Sequence, residues 1–594
     1  MKKTLALLLA LVTVLGLLAG CAKDPAKDPV SDPSKDPVNP DPNKPAEPFV
    51  YYWVRSNDDV TLNPHDASTT GSSDVVNKLA GKLFDFQPSA DGTRGELVPF
   101  LAAEFPTVDE SGKVWTIKVS PNAKWANGEK IDARTFEYSF KMLLNPSIVY
   151  SAGASFASNF ITIANALDYV KQGTANNVKW EDVGIKVIDD LTLQITCTER
   201  YTQNEFMRQF ATYSAAPVYE PIYSQCISAD GTTCDYGSSM EKYMCSGPFM
   251  LESYTKTSEA IMVKNPHYTK ADMIHIDKVV SRLVTDESTR LELFEKGEAD
   301  HVFLGENGMA KYGEDPRVAS YPNTSVETIE VNQNNPDKAY LKDPIFRKAL
   351  FYAIDRNAVA KLSNNIAAPY FFSLVGQALD DGTMYRDLPA AKALVPENGG
   401  YNPDLAKQYL NETLKKYNLS KISVNLMYTE TSDARRKSSE YIQSSLEKLF
   451  GKDKFEMTLS ANSFSLLNET MRSSVQGPTN AWDLCWSAWG LTAEKTHPYK
   501  KGERYTTWYA RRYTTYQNTV LDALWEQCLV EANRLDDEKM ADITVQMEKA
   551  ILDDMTCVPV YQPNNFVMYS DRIQLPMNVY HNDIGFGWTY SSLK

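Results

Sequence analysis

The residues that could perform catalysis do not form an arrangement typical of an enzyme. The sequence contains no Gly-x-Ser-x-Gly nucleophile motif, no His-Glu-x-x-His zinc motif and no glycine-rich phosphate loop with its lysine. Two carboxylate pairs, Asp189-Asp190 and Asp553-Asp554, are predicted at a turn and at a helix end, where water solvates them. The six histidines lack zinc-ligand spacing, and there is no Cys-x-x-Cys pair. We therefore expect no enzymatic activity, no metal ion and no cofactor.

Other residues suit the binding of a small molecule rather than its conversion. Aromatic side chains are dense in WDLCWSAWGLTAEKTHPY (482–499) and just after it. Flat rings with polar edges often line ligand clefts, and we expect this of some members of one set: Trp482, Trp486, Trp489, Tyr499, Tyr505, Trp508, Tyr509 and Tyr513. Core packing is predicted for Trp482 and Trp508. The doublets Lys500-Lys501 and Arg511-Arg512 could hold a carboxylate, but solvated surface charge is their predicted role.

Seven cysteines follow Cys21, and an odd number cannot pair completely, so at least one thiol must stay free. Cys226 and Cys234 are eight residues apart and could close a small disulfide loop outside the cell. Cys197 and Cys528 fall in a predicted strand and a predicted helix. For these two, packed core thiols are expected.

Residues 1–20 have the pattern of a secretory signal peptide. Lys2 and Lys3 precede an apolar run over 5–18, which is shorter than the roughly 20 residues of a membrane-spanning helix. The next residues, LAGC (18–21), resemble the bacterial lipobox, which implies cleavage before Cys21 and lipidation of its thiol. Acyl chains would then anchor the protein to the outer face of the cell membrane. An ordinary cleaved signal is the alternative.

Residues 21–48 are predicted to form a tether. They repeat Asp-Pro and contain almost no large apolar side chain, so burial cannot offset the entropy of ordering them. At about 3.1 Å per residue such a segment reaches on the order of 80 Å. The whole chain is 43% hydrophobic and 11% aromatic, enough for more than one lobe. Its net charge of −15, or −17 without Lys2 and Lys3, argues against nucleic acid as a partner.

Local patterns predict both helices and hairpins. The predicted elements are a strand over 113–120, a turn at Asn127-Gly128, a helix capped by Asp132, a hairpin over 185–195, a strand pair at 249–251 and 260–263, and a helix opened by Asp343-Pro344. Such a mixture indicates an α/β or α+β protein of several layers.

Eight segments together resemble the extracellular solute-binding proteins of the peptide and nickel ABC importer family. They are TLNPH (61–65), VVNKLAGKLFDF (75–86), LVPFLAAEFPTVDESGKVWTIKVSPNAKWANGEKIDARTFEYSFKMLLNP (97–146), SGPFMLESY (246–254), VKNP (263–266), VNQNNP (331–336), DPIFRKALFYAIDR (343–356) and VPVYQP (558–563). Each segment alone is weak evidence of this resemblance, but all eight occur in the family's order and at the family's spacing along the chain.

This resemblance implies an α/β two-lobed periplasmic-binding-protein-like fold, type II and cluster C-like, with an extra domain inserted in lobe one. It assigns 49–79, 190–324 and 565–594 to lobe one, 80–189 to the inserted domain and 325–564 to lobe two. Two chain crossings would join the lobes, and hinge closure would enclose the solute. We expect a monomer that delivers its solute to ABC permease subunits.

The resemblance also implies where a solute binds, because peptide carriers of the family hold an extended peptide against protein strands. Two stretches match those strands: Thr69, Thr70, Gly71 and Ser72, and Ser487, Ala488, Trp489, Gly490 and Leu491. Trp489 aligns with a cleft tryptophan of the family, and Tyr561 or Phe464 could also face the solute. His65, in a Pro-His pair, is predicted to be structural.

At one position the chain departs from the family pattern. The family usually has an Asp there that holds the α-ammonium of the peptide, whereas this chain has Thr492. Glu494 could replace the Asp if the loop shifts; otherwise it is a solvated charge. An unpaired buried ammonium costs several kcal/mol. The departure therefore favours either a shifted clamp or a solute whose amine is blocked or absent.

The function implied is the capture of oligopeptides or peptide-like solutes for an ABC importer at the bacterial cell surface. Two alternatives stay open within the same fold. One is a receptor for a peptide signal of the pheromone type, and the other is a carrier of a different solute, such as a metal chelate or an oligosaccharide.

Overall fold

The structure is a computed structural model, and it describes residues 47–148, 150–173, 177–372, 374, 378–379, 382–489, 497–509 and 517–594. All elements given below lie in the unit Pro48–Lys594. The predicted signal peptide, Cys21 and the tether up to residue 46 lie outside the described residues. So do Gly490, Leu491, Thr492 and Glu494, together with Arg511, Arg512 and Tyr513.

The strands of the described residues are β1 (Val50–Arg55), β2 (Phe84–Pro88), β3 (Gly95–Pro99), β4 (Thr107–Val108), β5 (Val114–Lys118), β6 (Ile185–Asp189), β7 (Thr192–Thr196), β8 (Phe249–Thr255), β9 (Glu259–Lys264), β10 (Lys278–Leu283), β11 (His301–Leu304), β12 (Val318–Pro322), β13 (Val326–Val331), β14 (Ile366–Ala367), β15 (Ile422–Thr429), β16 (Phe455–Asn462), β17 (Leu484–Trp489), β18 (Val558–Gln562), β19 (Asn564–Tyr569), β20 (Ile573–Gln574) and β21 (Ser592–Leu593).

The α-helices of the same residues are α1 (Thr70–Leu79), α2 (Ala133–Leu143), α3 (Ser151–Ser158), α4 (Ala166–Lys171), α5 (Gln203–Gln209), α6 (Glu220–Cys226), α7 (Glu287–Glu295), α8 (Glu306–Tyr312), α9 (Pro344–Ala353), α10 (Arg356–Lys361), α11 (Pro389–Ala393), α12 (Pro403–Lys416), α13 (Asp433–Phe450), α14 (Phe464–Gln476), α15 (Pro498–Gly502), α16 (Thr519–Leu529), α17 (Glu531–Arg534) and α18 (Asp537–Asp554).

Two mixed sheets carry most of these strands. The first has seven strands in the order β12-β19-β11-β1-β10-β9-β8, and the second has six in the order β14-β18-β13-β17-β15-β16. In the first sheet β1 pairs in parallel with β10 and β11, whereas β19 runs antiparallel to β11 and β12. The C-terminal part of the chain therefore supplies an internal strand to a sheet built mainly from residues 50–322.

The chain passes between the two sheets at two neighbouring places. One passage is 323–325, between β12 and β13, and the other is Pro563, between β18 and β19. The backbone N–H of Asn323 donates to the carbonyl of Pro563 at 2.8 Å, so the two passages lie side by side. Gln562 accepts a hydrogen bond from the Tyr370 hydroxyl at 3.1 Å. Two short adjacent connections are what a hinge between two bodies requires.

A smaller four-stranded sheet has the order β4-β5-β7-β6, and α2 packs on it. The predicted alternation is confirmed, because Trp115 and Ile117 are buried on one face of β5. The predicted hairpin of β6 and β7, the strand pair of β8 and β9, and the turn at Gly128 with its positive φ are confirmed as well. The helix opened by Asp343 and Pro344 is confirmed as α9.

Asp132 caps α2 as predicted and completes a capping box. Its Oδ1 accepts from the backbone N–H of Thr135 at 2.9 Å, while the Thr135 hydroxyl accepts from the N–H of Asp132 at 3.3 Å. We expect Asp132→Ala to lower the free energy of unfolding by about 1 kcal/mol, because it leaves a helix N–H without its partner. Urea unfolding measures this, with Glu104→Ala at an exposed position as the charge-matched control. Equal stability of the two variants would contradict the capping role.

The structure decides a possibility that the sequence left open for the cysteines. All seven described cysteines are free thiols, so Cys226 and Cys234 do not close the disulfide loop that their spacing would allow. Cys226 ends α6, and the residue after it, Ile227, forms the β-bridge with Cys234; this places the two cysteines out of register. Cys197 and Cys528 are 2% and 0% exposed, which confirms packed core thiols.

Candidate functional site

Strand β17 has one backbone edge that is only partly paired. Along its whole length it pairs antiparallel with β13, from Val326 opposite Trp489 to Val331 opposite Leu484. On its other side it pairs in parallel with β15 only at Leu484 and Cys485. The β15-facing edge of 486–489 therefore has no strand partner among the described residues. An open strand edge presents N–H and C=O groups that can pair with an added extended chain.

A small cavity of about 50 Å³ lies beside this open edge. Ser487 and Ala488 contribute to its wall, so the structure brings these two predicted site residues to one concave place. Phe464, the first residue of α14, also lines the cavity and is 63% exposed. Ser487 is 4% exposed, and its hydroxyl oxygen has no hydrogen-bond partner among the described residues. That hydroxyl is therefore an enclosed polar group without a partner beside the cavity.

Arg435 of α13 also lines the cavity, and its charge is already paired. Its Nε donates to Glu327 Oε2 at 3.0 Å, and its Nη1 donates to Thr429 Oγ1 at 2.8 Å. Burial raises the pKa of Glu327, while the attraction of Arg435 lowers it in part. This pair fixes the end of β15 to β13 beside the open edge. The prediction missed Arg435, although a helix start just after strand β15 is a place where site residues collect.

Tyr561 is 2% exposed and packs at a tilt on Trp486, with 5.6 Å between ring centroids. Trp486 is 1% exposed, and its Nε1 donates to Ser439 Oγ at 2.7 Å. Both rings belong to the core beneath the second sheet in this conformation. A direct contact of Tyr561 with solute stays a prediction.

The other aromatic residues divide between core and surface. Trp482, Tyr499 and Tyr505 are buried, which confirms the core prediction for Trp482. Trp508 is 48% exposed, so its predicted core role is wrong; it lies at a surface point of the chain between the buried residues Thr506 and Tyr509. The prediction that Lys500 and Lys501 are solvated surface charges is wrong for Lys501, because α15 turns that side chain into the interior. The side chain of Trp489 lies outside the described part, although its backbone closes β17.

The segment that contains Thr69, Thr70 and Gly71 is the start of α1, so its prediction as a strand is wrong. Thr69 is the N-cap, and its hydroxyl accepts from the N–H of Ser72 at 3.3 Å. Gly71 is needed for close approach, since a Cβ there would lie 2.1 Å from the Asp58 carbonyl oxygen. Thr69 and Thr70 are exposed. Contact of these two residues with a solute stays a prediction, and they would make that contact from the start of a helix rather than from a strand.

His65 is structural in this fold. It is 1% exposed and packs against the rings of Tyr150 and Tyr223. Neither ring nitrogen has a hydrogen-bond partner among the described residues, and burial lowers the pKa of His65 to about 3. Within the described ranges, no three His, Cys, Asp or Glu side chains are grouped as metal ligands would be. Nor does any helix of these ranges combine the length and apolarity needed to cross a bilayer.

The sequence is similar to a family of known proteins over most of its length. Residues 96–500 match the family model described as bacterial extracellular solute-binding proteins, family 5 Middle. The dipeptide-binding protein DppE of Bacillus subtilis is 23% identical over 485 residues, which cover 81% of this chain and 82% of that protein.

The fold is similar to solved structures as well. The peptide-bound OppA of Listeria monocytogenes is 23% identical, with a TM-score of 0.62 over 92% of this chain and all of that one. The periplasmic murein tripeptide-binding protein MppA, in its unliganded open form, is 18% identical, with a TM-score of 0.73 over 92% of this chain and 98% of that one. These likenesses establish a mixed helix and strand fold of the two-lobed periplasmic binding type.

Proposed function

Because the chain belongs to the bacterial extracellular solute-binding proteins of family 5, we propose that it captures oligopeptides or peptide-like solutes and delivers them to an ABC permease. The observation that carries this proposal is the open edge of β17 at 486–489, with the small cavity that Ser487 and Ala488 line beside it. An extended peptide can add to such an edge through main-chain hydrogen bonds, which give affinity without selecting one sequence. Relatives whose names refer to peptides support the same solute class.

We further propose that two lobes close over the solute by hinge motion at the passages 323–325 and Pro563. Lobe one then comprises 49–79, 190–324 and 565–594, lobe two 325–564, and the inserted domain 80–189. Strand β7 pairs with β5 and β6, which supports moving the end of the inserted domain to Thr196. Closure that depends on solute would let the permease distinguish loaded from empty protein.

The site of action is proposed to be the outer face of the bacterial cell membrane. The signal pattern of 1–20 and the lipobox-like LAGC (18–21) support cleavage before Cys21 and its lipidation. Mass spectrometry of the protein from membranes should show a diacylated N-terminal Cys21, and Cys21→Ala should release the protein to the medium or periplasm. An unmodified cysteine in the membrane fraction would overturn this anchor.

The peptide proposal is tested by identifying what the protein binds. Mass spectrometry of solutes that co-purify with the protein should find peptides, and calorimetry should then show that a synthetic copy binds. If only metal chelates or saccharides are recovered and peptides do not bind, the peptide assignment fails while the solute-binding family remains.

Ala488→Trp should weaken peptide binding roughly tenfold or more. Ala488 is half-buried at the open edge, so a large ring there would fill the small cavity and cover the groups that pair with the peptide. The control is Val520→Trp on α16, where the side chain is 62% exposed. Calorimetry with the same peptide should show full affinity for the control. Unchanged binding by Ala488→Trp would exclude this edge as the peptide site.

A further inference from the structure

A second recess, of about 220 Å³, opens on the face of the seven-stranded sheet that α1 covers. Its floor comes from neighbouring strands, with Trp53 on β1, Phe303 on β11 and Tyr321 on β12. One wall is α1, and the other is the C-terminal segment 580–588. Its volume is below the roughly 300–1,000 Å³ of pockets for drug-sized ligands, so it suits one side chain or end group of a larger solute.

Aromatic rings form a large part of this recess. Tyr321 stacks on Tyr580 with 3.8 Å between ring centroids, and Trp53 contacts Trp588 at 5.3 Å. Phe303 leaves 46% of its surface exposed at the opening. The faces of such rings carry negative electrostatic potential and attract cations, most strongly where water is excluded.

Asp74 places a carboxylate in the same recess, and the nearest lysine of its own helix does not pair with it. Lys78 is four residues further along α1, the spacing that favours an ion pair. Its Nζ instead donates to Thr589 Oγ1 at 2.7 Å and lies 4.5 Å from the centre of the Trp588 ring. Among the described residues, none donates a hydrogen bond to Asp74 or forms an ion pair with it. Burial raises the pKa of Asp74 to about 6, with partial offset by Lys78 and Arg55.

The recess lies close to a segment that is predicted to contact the solute. Asp74 is one helical turn from exposed Thr70, which belongs to the predicted solute-binding segment. Tyr321 lies just before the first passage between the sheets. The titratable charges that line the recess are Asp74, Asp583 and Lys78, which leave one net negative charge. A cation that entered would meet an unpaired carboxylate, ring faces and this negative charge together.

We infer that this recess is a subsite for a positively charged group of the solute, a primary ammonium or a guanidinium, which pairs with Asp74 between the aromatic rings. The inference rests on the proposed function for the identity of the solute. In this chain Thr492 stands where the resemblance predicts an Asp that holds the ammonium of the solute. Asp74 would supply a carboxylate for an ammonium at a different place.

The test compares charged and uncharged groups of equal shape on the full-length protein. The peptides are N-acetylated tripeptides in which one residue, at each position in turn, is lysine or norleucine and the other two are alanine. The norleucine peptides are also prepared with a free amine. Calorimetry measures the affinity of the protein for each peptide. In at least one matched pair the charged form should bind roughly tenfold tighter to wild type. Asp74→Asn keeps the side-chain shape and should reduce that preference to less than about twofold. Asp583→Asn removes a charge from the same recess but keeps the pairing carboxylate, so it should leave most of the preference.

A second measurement needs no peptide. Butylammonium should change the tryptophan fluorescence of wild type, through Trp53 and Trp588, at concentrations where butanol does not, and Asp74→Asn should abolish the difference. If no tripeptide binds wild type, the peptide proposal falls and the butylammonium result alone decides the subsite. Any one of three results overturns the assignment to Asp74. The first is equal binding of the charged and uncharged partners, and the second is an unchanged preference in Asp74→Asn. The third is a loss of preference in Asp583→Asn equal to that in Asp74→Asn.

Discussion

Glu548→Ala should lower the free energy of unfolding by about 3–5 kcal/mol, the cost of breaking a buried ion pair on one side. Glu548 of α18 is 0% exposed, and Arg386 is 6% exposed. Glu548 Oε1 accepts from Arg386 Nη2 at 2.5 Å and from the backbone N–H of Phe372 at 3.0 Å. Its Oε2 accepts from the Tyr385 hydroxyl at 2.8 Å. Removing the carboxylate leaves the Phe372 N–H and the Tyr385 hydroxyl without their acceptor, while Arg386 Nη2 keeps only its hydrogen bond to the Phe372 carbonyl at 2.9 Å.

The double variant Glu548→Met with Arg386→Met separates this cause from a simple loss of packing. Because it removes the unpaired Arg386 charge and retains apolar volume, it should recover part of the stability lost by Glu548→Ala, while the Phe372 N–H and the Tyr385 hydroxyl still lack their acceptor. Glu526→Ala on the exposed face of α16 is the control and should stay within about 0.5 kcal/mol of wild type. These values come from urea unfolding followed by fluorescence. A Glu548→Ala variant as stable as the control would show that the network contributes little.

The elements that were predicted correctly are those that a short stretch of sequence determines by itself. The hairpin of β6 and β7 was predicted from alternation around Asp189-Asp190, and α2 was predicted from its cap at Asp132 and its spaced apolar residues. Each of these patterns lies within about a dozen residues, where strand period, helix period and capping chemistry act directly. The order of strands in the two large sheets was not predicted, because no such local pattern reports which strands pair; the resemblance gave only the two lobes and their boundaries.

The errors arose where distant parts of the chain decide the outcome. Gly71 starts a helix against the Asp58 carbonyl, a contact that no local pattern reports. Arg386 and Glu548 are 162 residues apart, so neither charge could be predicted as buried. For the candidate site, Ser487 and Ala488 were found through resemblance, whereas Asp74 and Trp588 come together only when the C-terminal segment returns to α1.

Acidification from pH 7 to pH 5 should remove about 2 kcal/mol of folding free energy through His65 alone. Burial lowers the pKa of this histidine to about 3, and burial followed by the charge of Lys78 lowers that of His301 to about 3. Both are neutral in the folded protein, while their unfolded forms take up protons below about pH 6.5. The unfolded state then binds more protons, so stability falls as the pH drops from about 6.5 to about 3.

His65→Phe isolates this effect, because the ring keeps its contacts with Tyr150 and Tyr223 but cannot take up a proton after unfolding. We expect the variant to be at least as stable as wild type at pH 7, since it removes two buried ring nitrogens that lack partners. Between pH 7 and pH 5 its loss of unfolding free energy should be about 2 kcal/mol smaller than that of wild type. The control His275→Phe, at an exposed position, should lose as much unfolding free energy between pH 7 and pH 5 as wild type.

Asp74, with its pKa raised to about 6, changes stability in the opposite direction over part of this pH range. The decisive quantity is therefore the difference between His65→Phe and wild type in the unfolding free energy that each loses. Equal losses in His65→Phe and wild type would mean that His65 is hydrated or protonated in the folded protein.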